Sequence, residues 1–139
     1  MAGIIPLIGS GVSGPLGALH LPRLWLKVTL SAKGQLAADY DECGMGFDQM
    51  TLDGLGLNRD DALAYLKGSN PSYPEFEAWV KSNGSTGADA ISAHNAAISG
   101  YNHDDETRSA ILGAAGIADD GSILDAVSLN NLDDWTEFH

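Results

Sequence analysis

Residues 101–104, Tyr-Asn-His-Asp, bring together the side chains that acid/base chemistry needs. A histidine titrates near neutral pH, a carboxylate can orient its ring, and a phenol can donate a proton. Tyr101, His103 and Asp104 are therefore a candidate catalytic set. The alternative is that Asp104 and the two acids after it only stabilise the first turn of a helix, where the helix dipole favours negative charge.

A second candidate site lies at the start of the helix predicted over residues 21–34. Leu21 precedes Pro22 and has no side-chain acceptor, so the first amides of this helix lack a built-in partner. His20 and Arg23 stand at the same end, and cations beside free amides favour an anion. The pattern predicts ligand binding there, with His20 as a further catalytic residue.

Ser13 and Trp25 complete the predicted ligand-binding set with Arg23. Ser13 belongs to the Gly/Ser-rich segment before the helix, and tryptophans at the rim of a core often line small-molecule pockets. The alternative is that a main-chain carbonyl, or a hydroxyl such as that of Ser10 or Ser13, accepts from the free amides in place of a ligand.

A metal site built from His103, Asp104, Asp41 and Cys43 stays open as an alternative, but no pair of these residues has the spacing of a known metal motif. Acids beside Cys43 raise the pKa of its thiol, which argues against a cysteine nucleophile. The sequence therefore predicts no metal.

Residues 9–14, Gly-Ser-Gly-Val-Ser-Gly, superficially match the glycine fingerprint of dinucleotide-binding proteins. That fingerprint needs a helix starting within it, and Pro15 and Gly17 prevent one. No cofactor is predicted.

The elements that position these candidates are helices, because apolar residues recur at three- and four-residue steps and no long segment alternates as a strand would. Residues 21–34 carry an apolar stripe so wide that we expect a buried central helix. We predict an all-α bundle of about seven or eight short helices around it. A single domain, 1–139, would comprise an extended arm at 1–20 and two halves, 21–84 and 85–139.

Cap signals predict where several helices begin. The predicted N-cap residues are Asp48, Asn58, Ser72 and Asn102, and Ser72 lies three residues before a glutamate, as in a capping box. His94 falls on the apolar face of its helix, so we predict a buried histidine that is hydrogen-bonded to the main chain.

The two halves share short motifs that suggest an internal duplication. Phe76 and Trp79 have the same spacing as Trp135 and Phe138, with the two residue types in the opposite order. Helix caps at similar offsets account for part of the likeness.

The net charge of −12 is unevenly distributed. The first 38 residues hold three cations and no acid, whereas the remainder holds four cations and 19 acids. Such a surface argues against nucleic acid and anionic membranes as partners. The apolar N-terminal run has no preceding cation and is broken by Pro6 and Gly9, so we expect neither a signal peptide nor a membrane anchor. One cysteine fits a reducing, cytoplasmic location.

Three segments resemble a family of small bacterial proteins that is described as a domain of unknown function. They are residues 15–28 (PLGALHLPRLWLKV), 47–57 with 73–80 (FDQMTLDGLGL, YPEFEAWV), and the run from 100 (GYNHDDETRSAIL) to 139 (SLNNLDDWTEFH). The resemblance implies a helical, stand-alone, cytoplasmic bacterial domain. It assigns no activity and no catalytic residue.

The sequence thus predicts a protein that binds a small polar or anionic metabolite, with proton transfer by His20 or His103 as its chemistry. The alternative is a non-catalytic interaction or structural module that uses the apolar arm, with self-association left open.

Overall fold

A computed structural model describes residues 3–139, which form the predicted all-α bundle. Seven helices follow one another: α1 Leu21–Ala32, α2 Phe47–Gly54, α3 Arg59–Ser69, α4 Tyr73–Asn83, α5 Ala88–Gly100, α6 Asp105–Ala115 and α7 Ala126–Phe138. Over residues 3–139, β-type pairing is limited to two isolated bridges, one from Ile4 to Leu36 and one from Asn102 to Asp125. None of the helices in that range has both the length and the apolar character needed to cross a membrane.

The central helix is α1, as the width of its apolar stripe predicts. It packs against α3 and α4, and Leu21, Leu24 and Val28 are at most 1% exposed. The helix ends at Ala32, two residues earlier than predicted. Gly34 adopts the left-handed conformation (φ +67°) that turns the chain away from the helix axis.

Two of the four predicted N-caps are confirmed, and two are wrong. Asn58 caps α3, and Ser72 forms a capping box at the start of α4. Asp48 is not a cap, because α2 begins one residue before it and its carboxylate turns inward. Asn102 is not one either, since Asp104 caps α6.

The arm before α1 crosses both halves of the bundle and is held by buried polar groups. In α4, the carboxylate of Glu77 accepts from the amide of Leu16 at 3.1 Å. In α5, Asn95 accepts from the amide of Leu19 at 2.9 Å, while Nε2 of His94 bonds the carbonyl oxygen of Leu19 at 2.8 Å. The prediction of a buried, main-chain-bonded His94 is confirmed.

The second half folds as α5, α6 and α7, with α2 packed on α5 and α6 on α7. Phe76 is fully buried in the first half, but Trp135 and Phe138 are 60% and 67% exposed. The residues that suggested a duplication therefore have different structural roles, and the duplication stays a prediction.

Candidate functional site

Five of the seven predicted site residues line one cavity of about 400 Å³: His20, Arg23, Tyr101, His103 and Asp104. The cavity lies between α1, the loop before α2, the segment that leads into α6, and α7. Eight further lining residues are polar or charged: Lys27, Asp39, Tyr40, Asp41, Asp48, Thr107, Asn130 and Asp133. The two candidate sites of the sequence are thus one place in the fold.

Ser13 and Trp25 do not line this cavity, so the structure does not bring them together with the other predicted site residues. Ser13 is exposed on the arm. Nε1 of Trp25 donates to the carbonyl oxygen of Pro71 at 2.9 Å, and the ring packs edge-on against Tyr73. Trp25 therefore faces α4, because the helical period carries it around α1 from Arg23.

Arg23 is buried, and protein acceptors already occupy its guanidinium group. It forms a bidentate pair with Asp134 of α7, at 2.7 and 3.1 Å, and Nη1 also donates to the carbonyl oxygens of Pro6 and Ile8. The hydroxyl of Tyr40 donates to the same carboxylate at 2.8 Å. The sequence also offered the alternative that the arm bonds this end of α1. The arm does so, but its carbonyl oxygens accept from the side chain of Arg23 and not from the first amides of the helix.

Asp48 is the centre of a second buried cluster on the cavity wall. One oxygen lies 2.6 Å from Nε2 of His20, and the other lies 2.5 Å from Nζ of Lys27 and 2.7 Å from the amide of Gly44. Burial alone would raise the pKa of Asp48, but the hydrogen bond from His20 and the charge of Lys27 outweigh it and lower the pKa to about 2. The carboxylate is therefore ionised throughout the physiological range.

Both ring nitrogens of His20 have protein partners, which leaves neither free for a ligand, and its catalytic role stays a prediction. Nδ1 is 2.9 Å from the hydroxyl of Ser10, and Nε2 faces Asp48. Burial lowers the pKa of His20, so the ring is neutral and donates from Nε2. Its backbone is left-handed (φ +70°), a conformation that is rare outside glycine and that turns the chain into α1.

Ser10, His20 and Asp48 form a chain of hydrogen bonds like that of a catalytic triad of nucleophile, base and orienting acid. Their surroundings do not allow that chemistry. Ser10 has no exposed surface, so a substrate cannot reach its hydroxyl. Lys27 binds the carboxylate that would have to stabilise a charged imidazole. The chain of hydrogen bonds therefore fastens the arm to α1 and α2.

His103 is the histidine whose geometry suits proton transfer. Nε2 lies 2.8 Å from the amide oxygen of Asn130 in α7, an acceptor, whereas Nδ1 has no hydrogen-bond partner among residues 3–139. The ring is only partly exposed. Asn130 thus performs the orienting task that the sequence assigned to Asp104.

Asp104 has the alternative role that the sequence also predicted. Its carboxylate accepts from the amide of Thr107 at 2.7 Å, and this backbone hydrogen bond lowers the pKa of the group. It is the N-cap of α6 and stands at the rim of the cavity. The structure gives Asp104 this capping role, and its catalytic role stays a prediction.

Four rings form a continuous row from the core to the rim of the cavity. Successive centroids, from His20 to Phe47, Tyr101 and His103, are 5.4, 5.6 and 6.2 Å apart, and each pair meets edge to face. Such contacts hold rings in defined orientations. Phe47 therefore packs against the ring of Tyr101, which in turn packs against the ring of His103.

The unpaired charge in the cavity is negative. Arg23 and Lys27 are each bound to a carboxylate, whereas Asp39, Asp41 and Asp133 make no ion pair or side-chain hydrogen bond within residues 3–139. Burial and the neighbouring Asp134 raise the pKa of Asp133. The cavity therefore favours positive charge in whatever enters it.

The cysteine and the acids near it form no metal centre in the part of the chain that the structure describes. Across residues 3–139, no group of three or more histidine, cysteine, aspartate or glutamate side chains is arranged to hold a metal ion. Cys43 is buried beside the cavity, and burial together with Asp48 raises the pKa of its thiol, as predicted.

Sequence reasoning missed Asp48, Asn130, Asp133 and Asp134. One signal pointed to two of them: Arg23 and Lys27 stand four residues apart in a helix that is otherwise too apolar for water. Buried cations need carboxylate partners, so two buried acids were required. Which of the 19 acids they are depends on how α2 and α7 pack against α1.

No protein-family model and no curated protein matches the chain. The resemblance to a small bacterial family therefore stays a prediction.

Proposed function

We propose that the cavity binds a small polar molecule that carries positive charge, such as an amine or a guanidinium compound. The observation that supports this proposal is the pairing of the charges: the cations of the cavity are paired inside the protein, and three of its carboxylates have no ion pair or side-chain hydrogen bond within residues 3–139. A ligand ammonium or guanidinium group would gain charge-assisted hydrogen bonds that no protein group supplies. The anionic option of the sequence prediction loses its basis, because Arg23 is occupied.

The aromatic wall of the cavity supports the same class of ligand. Phe47 and Tyr101 line it beside the carboxylates, and Tyr101 is 44% exposed. An aromatic face attracts a cation and also covers the apolar part of an amine. A volume of about 400 Å³ is enough for a metabolite of modest size.

Proton transfer by His103 is the catalytic part of the proposal. Nδ1 is the free nitrogen, and Asn130 fixes the ring through Nε2. A base held in this way can take a proton from a ligand ammonium or hydroxyl group. Once a ligand is identified, His103→Gln should abolish its turnover and change its affinity by no more than a few-fold. Turnover equal to that of the wild type would contradict a catalytic role for His103 and leave a site that only binds.

The binding proposal is tested by thermal shift and titration calorimetry with two matched panels. One contains small amines such as putrescine, agmatine and ethanolamine, and the other contains phosphate, citrate and succinate. We expect stabilisation by at least one amine and by no anion. Asp133→Asn should weaken binding about tenfold, as loss of one charged contact predicts. Asp89→Asn, an exposed acid in the first turn of α5, is the control and should change nothing.

Three results would contradict the proposal. They are no response to any amine, an equal loss of binding in Asp133→Asn and Asp89→Asn, and stabilisation by an anion that disappears in Arg23→Met. The last result would restore the anionic metabolite of the sequence prediction.

An interaction module built on the arm is the second candidate, and the exposure of Ile4 and Leu7 favours it. The main chain of the arm is already bonded to Arg23, which limits how far the arm can leave the bundle. Light scattering on the wild type and on Ile4→Ser/Leu7→Ser tests this candidate. A wild-type oligomer that the double variant converts to monomer would support it, and a wild-type monomer would contradict self-association.

A further inference from the structure

A second surface of the molecule is apolar, exposed and separate from the cavity. It lies on the α6–α7 pair, and we call the side chains of Ile117, Ile123, Leu132 and Trp135 the α6–α7 apolar surface. Trp135 is 60% exposed, and Phe138, one turn further along α7, is 67% exposed. A tryptophan and a phenylalanine this exposed on one short helix are typical of an interaction site.

The α6–α7 apolar surface consists of a ridge with a groove on each side. Leu132 and Trp135 line both grooves, which have volumes of about 300 and 340 Å³. Ile123 lies in the first groove with Asp125, and Ile117 lies in the second. Two grooves that share Leu132 and Trp135 suit apolar side chains that recur along a helix.

The charge around this surface selects its occupant. Asp125 lines the first groove, Asp120 accepts from the hydroxyl of Ser122 in the wall of that groove at 2.6 Å, and Glu137 is exposed next to Thr136 of the second groove. Arg108 is the one lysine or arginine in residues 100–139, so this surface carries a negative charge. Arg108 is bound to Asp105 and Asp119, so the segment has no unpaired lysine or arginine. Two copies of this surface would bring two such charges together, which opposes self-association, and an anionic partner is opposed in the same way.

We infer that the α6–α7 apolar surface docks a basic amphipathic helix of a partner protein. Its apolar residues would fill the two grooves, with Trp135 as the central anchor, and its lysines and arginines would face the acids around the rim. This inference does not depend on the ligand proposed for the cavity, because no residue that lines the cavity lines either groove.

The test uses the full chain and a fluorescein-labelled 14-residue helix of leucine and lysine, followed by anisotropy. We expect saturable binding that weakens as salt is raised, because exposed ion pairs are screened. Trp135→Ala should lose about tenfold or more in affinity, as an aromatic anchor does. Met45→Ala removes an equally exposed apolar side chain from another face and should stay within about twofold.

Four results would overturn the inference. They are equal loss in Trp135→Ala and Met45→Ala, equal binding of a lysine/serine peptide without leucines, equal binding of a leucine/glutamate peptide, and a wild-type dimer that Trp135→Ala converts to monomer. The dimer would assign the surface to a second copy of the chain. Circular dichroism of Trp135→Ala confirms that the variant is folded.

Discussion

Asp48→Asn should destabilise the protein more than any exposed charge change, because Asp48 neutralises the buried ammonium group of Lys27 and accepts a hydrogen bond from the buried ring of His20. The substitution keeps the shape of the side chain and removes its charge. Lys27, whose side chain is 10% exposed, would then lose the carboxylate that lies 2.5 Å from its ammonium group. The amide keeps one acceptor oxygen, so either Nε2 of His20, or Nζ of Lys27 together with the amide of Gly44, would face an NH2 group in place of an acceptor.

The magnitude follows from two independent considerations. The difference between the ordinary pKa of 3.8 and the folded value of about 2 corresponds to about 2 kcal/mol of folding free energy at neutral pH. Leaving one member of a buried ion pair uncompensated costs about 3–5 kcal/mol. We therefore expect Asp48→Asn to lower the free energy of unfolding by about 3–5 kcal/mol, a large part of the stability of a domain this size.

The sign of the pH dependence separates this mechanism from a loss of packing. Because the folded pKa is lowered, the contribution of Asp48 is fully present above pH 3.8 and is lost as the pH falls through about 2. The gap in stability between the wild type and Asp48→Asn should therefore narrow in acid. A loss of packing would give a gap that is independent of pH.

The assay is urea unfolding followed by circular dichroism between pH 7 and pH 2. Lys27→Met combined with Asp48→Asn should be more stable than Asp48→Asn alone, because it removes the uncompensated charge. Asp105→Asn is the matched control: its side chain is 93% exposed, so its pair with Arg108 contributes less than about 1 kcal/mol. A loss below 1 kcal/mol in Asp48→Asn, or additive losses in the double variant, would refute the reasoning.

Three further predictions concern the cavity, the arm and the core. Asp133→Asn should stabilise the protein at neutral pH, because the folded pKa of Asp133 is raised. This gain in stability should fade as the pH falls through the folded pKa, which thermal unfolding at several pH values measures. A gain that persists at low pH would contradict the prediction. Glu77→Gln should weaken the hold on the arm by about 1–3 kcal/mol and speed amide exchange at Leu16, and unchanged exchange would rule this out. Phe76→Ala should cost about 3–5 kcal/mol in chemical unfolding and Trp135→Ala less than 1; similar losses would show that α7 is more buried than described.

The position of the cavity could be predicted only in part. Arg23, His103 and their neighbours could be singled out, because cations at a helix start and a His-Asp pair are visible in the chain. Their partners could not, since Asp134 is 111 positions away from Arg23 and nothing local distinguishes it from Asp133. The charge proposed for a ligand depends on this pairing, because free cations would favour an anion and free carboxylates would favour a cation.

The sequence by itself determined the class of fold and the burial of α1, because helical periodicity, caps and glycine stops act over a few residues. It also required buried acids, since two cations stand in an apolar helix. Only the tertiary structure decided that Asp48 and Asp134 are those acids, that both nitrogens of His20 are occupied, and that Asn130 orients His103. Side-chain pairing across helices depends on packing geometry, which a linear pattern does not contain.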